Sequence, residues 1–294
     1  LFIEGIIFDE PSVAGGVKVF LRAITYISKQ LQQYMKRTLQ VANIIALIVT
    51  VVINYLSNTG IFNDSTMASI SARYQNFFTP SGYAFSIWGL IYLLLAAFVI
   101  YQARGISGKR EVPDVVEKVG WLFVISCAAN SAWVLAWLYD FTGLSVLIMI
   151  VLLASLWLII VRTRMEMDLI PIKKIALTWW PFAIYLGWIL VALIANTAAW
   201  LTKIGWDGFG LSPVVWTVVM ICVAGLVYVG LTWARNLRES SIVGVWALTA
   251  VAVANWGTTP AVVNAALAVS AVILISSSIH AYRNRGRHFL EEAK

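Results

Sequence analysis

Uninterrupted apolar runs of about twenty residues decide most of what this chain can fold into. At about 1.5 Å per residue, such a run spans the ~30 Å hydrocarbon core of a bilayer as a helix. Eight runs can be placed, at about 38–56, 83–103, 119–139, 141–161, 175–201, 211–233, 241–256 and 260–282. The seventh is short and closes in Gly257-Thr258-Thr259-Pro260, a turn leading straight into the eighth. Composition agrees: 61% of residues are hydrophobic and 12% charged, with a mean hydropathy of +0.83, against about 25% charged in soluble domains. The runs lack the two-residue alternation of a membrane barrel. The expected fold is therefore an all-α polytopic membrane protein of about eight transmembrane helices, which excludes an ordinary soluble enzyme.

Loop charges test that count. From Met35 onward, one set of alternate loops and ends carries sixteen Lys and Arg, among them Lys36, Arg37, Arg104, Lys118, Arg162, Lys173, Arg235, Arg283 and Lys294. The other set carries only Arg73 and Lys203. Basic loops stay in the cytoplasm, so both termini are expected there, with an even number of spans, in a bacterial inner membrane. Topology thus accounts for the net charge of +7, and no nucleic-acid partner is expected. The bilayer and a small hydrophobic ligand are the expected partners, and a homodimer is compatible with the sequence.

The segments divide as follows. Residues 1–34 form an N-terminal extension with two open readings. It is either a stretch ahead of a natural start at Met35, or an interfacial helix with Val17, Phe20, Leu21, Ile24, Ile27 and Leu31 on one face. Residues 35–202 hold five spans, 203–282 three more, and 283–294 a basic cytoplasmic tail.

No Asp, Glu, Lys or Arg lies well inside any span. Intramembrane charges mark proton relays, ion paths and retinal counter-ions, so those functions are disfavoured. Cys127 and Cys222 lie in apolar runs and read as packed thiols, while His280 and His288 read as end-of-helix or solvated residues. No metal is expected, nor any conventional catalytic constellation.

The polar and aromatic residues inside the membrane are patterned instead. Phe85, Trp88 and Tyr92 in the second span are three and four residues apart, as are Asn130, Trp133 and Trp137 in the third. Tyr185, Trp188, Ala192 and Asn196 continue the rhythm in the fifth. Each set forms one narrow stripe on a helix. Asn side chains facing lipid would be left without partners, so the stripes should face one another, with Ala128, Ala132 and Ala136 forming a packing ridge behind. Eight other Trp, including Trp121, Trp179, Trp216, Trp233 and Trp256, lie near span ends and read as interfacial belts.

These stripes resemble the tryptophan-rich sensory protein family, also called translocator proteins or peripheral benzodiazepine receptors. The family's fifth-span pattern, Pro-Tyr-x-x-Trp-x-x-x-Ala-x-x-x-Asn-x-x-x-Trp, corresponds to Tyr185, Trp188, Ala192, Asn196 and Trp200, with Pro181 displaced. Asn130 and Trp133 match the third-span motif, with Trp137 in its aromatic place. Pro80, Gly82, Tyr83, Phe85, Trp88 and Tyr92 correspond to the second-span motif, with Tyr83 replacing a Trp and the stretch one residue shorter. The likeness covers about residues 38–201, the family's five-helix bundle, and leaves 202–294 outside. The resemblance implies a receptor or sensor for flat hydrophobic ligands such as porphyrins or haem, without an obligatory cofactor. The pocket would be lined by Tyr83, Phe85, Trp88, Tyr92, Asn130, Trp133, Trp137, Tyr185, Trp188, Ala192 and Asn196, under a lid formed by loop 57–82. A Tyr needed for the cholesterol pattern is missing at Trp200-Leu201-Thr202-Lys203. Two other readings stand beside this one: a transporter of small amphiphiles, with Pro181 as the candidate helix break, and a porphyrin-modifying enzyme.

The charge bias predicts that reporter fusions after Lys203 and after Lys294 report opposite sides of the membrane. Reporters on the same side would refute the topology.

Overall fold

The computed structural model describes residues 10–107, 111–168 and 170–284. Residues 1–9 of the extension, residues 285–294 of the tail with His288, and the loop charges Lys109 and Arg110 lie outside the described residues. Among the described residues there are helices and turns and no strand.

Eight helices traverse the bundle: α1 (Glu10–Leu56), α3 (Ile87–Gln102), α5 (Leu122–Leu138), α6 (Thr142–Arg162), α8 (Trp180–Lys203), α9 (Pro213–Arg235), α10 (Arg238–Ala254) and α11 (Pro260–Asn284). Three short ones, α2 (Met67–Arg73), α4 (Val115–Val119) and α7 (Ile172–Thr178), sit in connections. Six segments are long and apolar enough to cross a membrane: α1 from Phe20, the 3-10 turn Gly82–Ser86 continued by α3, then α6, α8, α9 and α11. Helices α5 and α10 have only 17 residues each. They still run from one end of the bundle to the other, and more than half of each is buried against neighbouring helices. The expected eight spans thus resolve into six long segments and two short helices buried along more than half their length.

Helices α1, α3, α8, α6 and α5 close a ring, each packed against the next and α5 against α1. Helix α10 then lies along α8 and against the Gly82–Ser86 turn, flanked by α9 and α11. The α8–α10 seam is close because Gly187 has no side chain: a Cβ there would stand 2.7 Å from the Ser240 carbonyl oxygen. The Ser240 hydroxyl bonds across it to the Ala183 carbonyl at 2.6 Å, and Tyr228 of α9 donates to the Gly187 carbonyl at 2.6 Å. Side-chain donors of this kind hold helices together where water is absent.

The ends follow local chemistry. Ser212 caps α9 through the Val215 N–H, and Pro213 occupies the first turn, where its missing N–H costs nothing. Asn236 ends α9 in the left-handed conformation at φ 59°. The Gly257-Thr258-Thr259 turn enters α11 at Pro260 as its sequence predicts.

Several expectations need correction. Ala128 and Ala132 point outward, and α5 packs on α1 through Cys127 and Ser131, near the Thr50 hydroxyl. Pro181 does not break a span at mid-membrane: it lies in the first turn of α8, just after the α7–α8 junction at Trp179. Trp179 is buried rather than belted, and Cys222 is exposed. The extension continues unbroken from Glu10 into the first span, with Phe20, Leu21, Ile24, Ile27 and Leu31 exposed. Gln32 and Lys36 tie it to Glu117, whose carboxyl they hold below its ordinary range.

At the basic end, the α6–α7 connection meets the α9–α10 turn. Glu166, itself at φ 61°, accepts a hydrogen bond from Asn236 Nδ2 at 3.1 Å. Partial burial, and secondarily the nearby Glu239 carboxylate, push the Glu166 carboxyl up to about 7 despite Arg238 beside it. The folded joint therefore binds the proton more tightly than the unfolded chain. Its stabilisation is fullest below the ordinary carboxylate range and is lost as pH rises through about 7. Because solvent still reaches the group, a loss on the order of 1–2 kcal/mol is expected. Melting temperature should fall between pH 5 and pH 8 by more in the natural chain than in Glu166→Gln. Identical slopes would show that the joint is not pH-sensitive.

Candidate functional site

The stripes of α3, α5 and α8 meet inside the five-helix ring, at the end away from the basic loops. Phe85, Trp88, Trp133, Trp137, Trp188, Ala192 and Asn196 line one cavity of about 60 Å³. Trp88 is the hub. Its ring stacks on Trp133 at 5.9 Å and 27° between planes, and meets Trp188 nearly edge-on at 6.2 Å. Phe85 closes the group with an edge contact to Trp188 at 6.0 Å. Aromatic pairs favour these offset and T-shaped arrangements.

The Asn residues set the rotation of the helices. Asn196 accepts the Trp133 indole N–H at 3.1 Å and donates to Ser145 Oγ at 2.8 Å, tying α5, α6 and α8 together. Asn130 donates to the Tyr185 hydroxyl at 2.7 Å and accepts from Asn54 of α1 at 2.7 Å. Tyr185 and Asn130 therefore lie beneath the cavity as a support, together with Tyr92, which stacks on Trp88 at 5.6 Å. They do not line it. Tyr83 departs further: it is partly exposed and packs edge-on against Trp246 of α10 at 5.0 Å. One donor stands out. The buried indole N–H of Trp188, on the cavity wall, has no hydrogen-bond partner among the described residues.

A lid covers the cavity. In segment 57–82, Thr66 and Ser69 form a reciprocal capping box that starts α2. Met67, Ser71, Tyr74, Thr79 and Pro80 reach the cavity from this segment. The sequence marked the segment but named none of these residues as lining, because a loop has no period to show which side chains turn inward. Val191, Ala195 and Ala199 of α8 also line it. They widen the expected stripe by the neighbouring positions of the same face.

A family model described as TSPO-like protein matches residues 40–279. The chain belongs to the TSPO-like protein family. The matched region runs past residue 201, where the motif resemblance stops, and takes in almost all of the three C-terminal helices. No curated protein and no solved structure matches the chain. In this TSPO-like protein one of those helices, α10, also supports the lid hinge at residues 77–84, where segment 57–82 runs into α3. The Ser81 N–H donates to the Ala250 carbonyl at 3.0 Å, Asn255 Nδ2 to the Phe77 carbonyl at 2.9 Å, and the Trp246 indole to the Ala84 carbonyl at 3.3 Å.

The other side of the lid is latched by charge. Asp140, in the α5–α6 turn at φ 63°, accepts the Tyr74 hydroxyl at 2.9 Å. It pairs with Lys203 at 3.1 Å and Arg73 at 3.6 Å. The two basic residues that depart from the charge bias thus share one carboxylate. Each such partly exposed contact is worth roughly 0.2–1 kcal/mol, so Asp140→Asn should raise amide exchange across 63–74 several-fold without changing exchange in α5. Unchanged exchange in 63–74 would mean that the latch does not hold the lid.

Proposed function

We propose that this TSPO-like protein is a membrane receptor or sensor that takes a flat hydrophobic ligand, a porphyrin or haem, between the Trp88, Trp133 and Trp188 rings. The observation that carries this reading is the convergence of three indole rings with an unpartnered Trp188 N–H under a lid. Aromatic faces suit stacking on a tetrapyrrole, and the free Trp188 donor offers a point of polar recognition. At about 60 Å³, the cavity is far below the ~300–1,000 Å³ usual for small-molecule sites. Entry therefore requires the lid to lift and Trp88 to move off Trp133, and this coupling makes ligand arrival readable outside the membrane. The transporter reading rested on eight spans and a possible repeat, with Pro181 as its candidate break, and Pro181 sits in the first turn of α8 rather than at mid-membrane. We place both termini on the cytoplasmic side of a bacterial inner membrane, following the loop charges, with the lid on the opposite face.

Protoporphyrin and haem titrated into the purified protein should quench its tryptophan emission saturably. Ala192→Phe, which adds bulk to the wall, and Trp188→Ala, which removes a stacking face, should each weaken binding about 10–100-fold, the range of a central anchor. Trp256→Ala, on an exposed ring at the α10–α11 turn, should leave it unchanged. Absence of saturable binding, or equal losses in all three variants, would overturn the assignment.

A further inference from the structure

A second, larger hollow lies on the opposite side of α8. It measures about 620 Å³ and runs between the last turns of α8 and the first turns of α9, within the size range of small-molecule sites. It exists because α9 uses its later turns for packing. Ile221, Ala224, Gly225, Tyr228 and Thr232 are buried, Thr217 is the one buried residue in the turns before them, and α9 touches α8 only sparsely. Both helices are long and apolar enough to cross a membrane, so the trough lies at acyl-chain depth.

Its walls are aliphatic, with Leu193, Ile194, Ala198 and Leu201 facing Pro213 and Met220. The hydroxyls along it are already engaged by their own helices: Thr197 by the Leu193 carbonyl, Thr202 by Ala198 and Thr217 by Pro213. The trough therefore offers nothing to a polar ligand and suits a hydrocarbon chain.

The outer end is built differently. Trp216 donates its indole N–H to the Gly208 carbonyl at 2.7 Å, and its ring would stand only 3.2 Å from a Gly208 Cβ. Gly208 is at φ 68°, a conformation that glycine adopts without strain. Trp206 packs on the same ring at 5.2 Å. Next to them Phe209 is 81% exposed, an aromatic side chain suited to the headgroup boundary. The mouth carries Asn76 and Asp207. Among the described residues Asp207 is the only ionisable one lining the hollow, and no Lys or Arg lines it. Its Oδ1 accepts the Phe209 N–H at 3.0 Å. A carboxylate without a cation repels anionic headgroups, porphyrin propionates included, and attracts an ammonium group.

We propose that the α8–α9 trough is a lipid site, occupied by one acyl chain of a zwitterionic phospholipid whose headgroup ammonium lies at Asp207. The site is distinct from the aromatic cavity but shares a wall with it. Asn76, Phe77 and Phe78 line the trough, while Thr79 and Pro80 line the cavity. A chain in the trough braces the lid hinge from behind.

The test uses the full chain, delipidated in detergent and titrated with phosphatidylethanolamine or phosphatidylglycerol under native mass spectrometry. The expected result is one tightly held phosphatidylethanolamine, bound about tenfold more tightly than phosphatidylglycerol, as one charge-assisted hydrogen bond allows. Asp207→Asn should abolish that preference, and Ala198→Trp should remove the tight site. A second measurement does not depend on Ala198→Trp folding. Phosphatidylethanolamine brominated on its acyl chain should quench the natural chain more than the Trp206→Phe, Trp216→Phe double variant. Equal affinity for the two lipids, retention of the tight site in folded Ala198→Trp, or equal quenching in the double variant would overturn the proposal.

Discussion

Hydrocarbon offers no hydrogen bonds, and the rest of this structure follows from that. An amide or hydroxyl inside the bundle that finds no partner on another helix or on its own backbone costs free energy. Asn130 and Asn196 avoid that cost by reaching from α5 to α1 and α8, and from α8 to α5 and α6. Once those bonds form, the helices can no longer rotate about their axes. The indole rings three and four residues away from each Asn are then turned into the bundle whatever their own preference. The aromatic cavity is thus positioned by its polar neighbours, and the rings fill the space those bonds define.

That dependence explains what the sequence revealed and what it did not. Helical spacing relates residues on one helix, so Trp88, Trp133 and Trp188 could be assigned to inward stripes before any contact was known. Depth along the axis is a separate matter. Tyr92, Asn130 and Tyr185 share those stripes yet sit beneath the cavity, because the rings above them fill the cross-section. Tyr83 is expected at the cavity from the family motif alone and lies off the three-and-four rhythm of Phe85, Trp88 and Tyr92; the chain there is a 3-10 turn, and its ring turns to Trp246. The Ala128–Ala132 face shows the complementary failure: small residues permit a close approach without requiring one, and α5 chose the side carrying Cys127 and Ser131. Asn54 and Trp246 carried no pattern that would have marked them.

The three C-terminal helices change the meaning of the fifth family span. In a five-helix ring the outer side of α8 would meet lipid throughout. Here Gly187 and Ala183 receive α9 and α10 through hydroxyl-to-carbonyl bonds. The helix that supplies one wall of the aromatic cavity is therefore clasped from both sides for its first half and free on one side for its second. The lid hinge rests on α10 at Ala250 and Asn255, so movement of the cover and movement of the C-terminal unit are mechanically joined.

The shortness of α5 has a consequence for the bilayer itself. Its 17 residues rise about 26 Å, less than a typical hydrocarbon thickness of about 30 Å. Unlike its buried inner face, the side bearing Ile125, Ala128 and Ala132 is exposed, so lipid beside it must compress to keep its tails against apolar surface. Such mismatch costs fractions of a kcal/mol per ångström. The strain falls on one flank of the molecule, because the six longer segments stand elsewhere around it. A protein with one thin flank sorts toward thinner membrane.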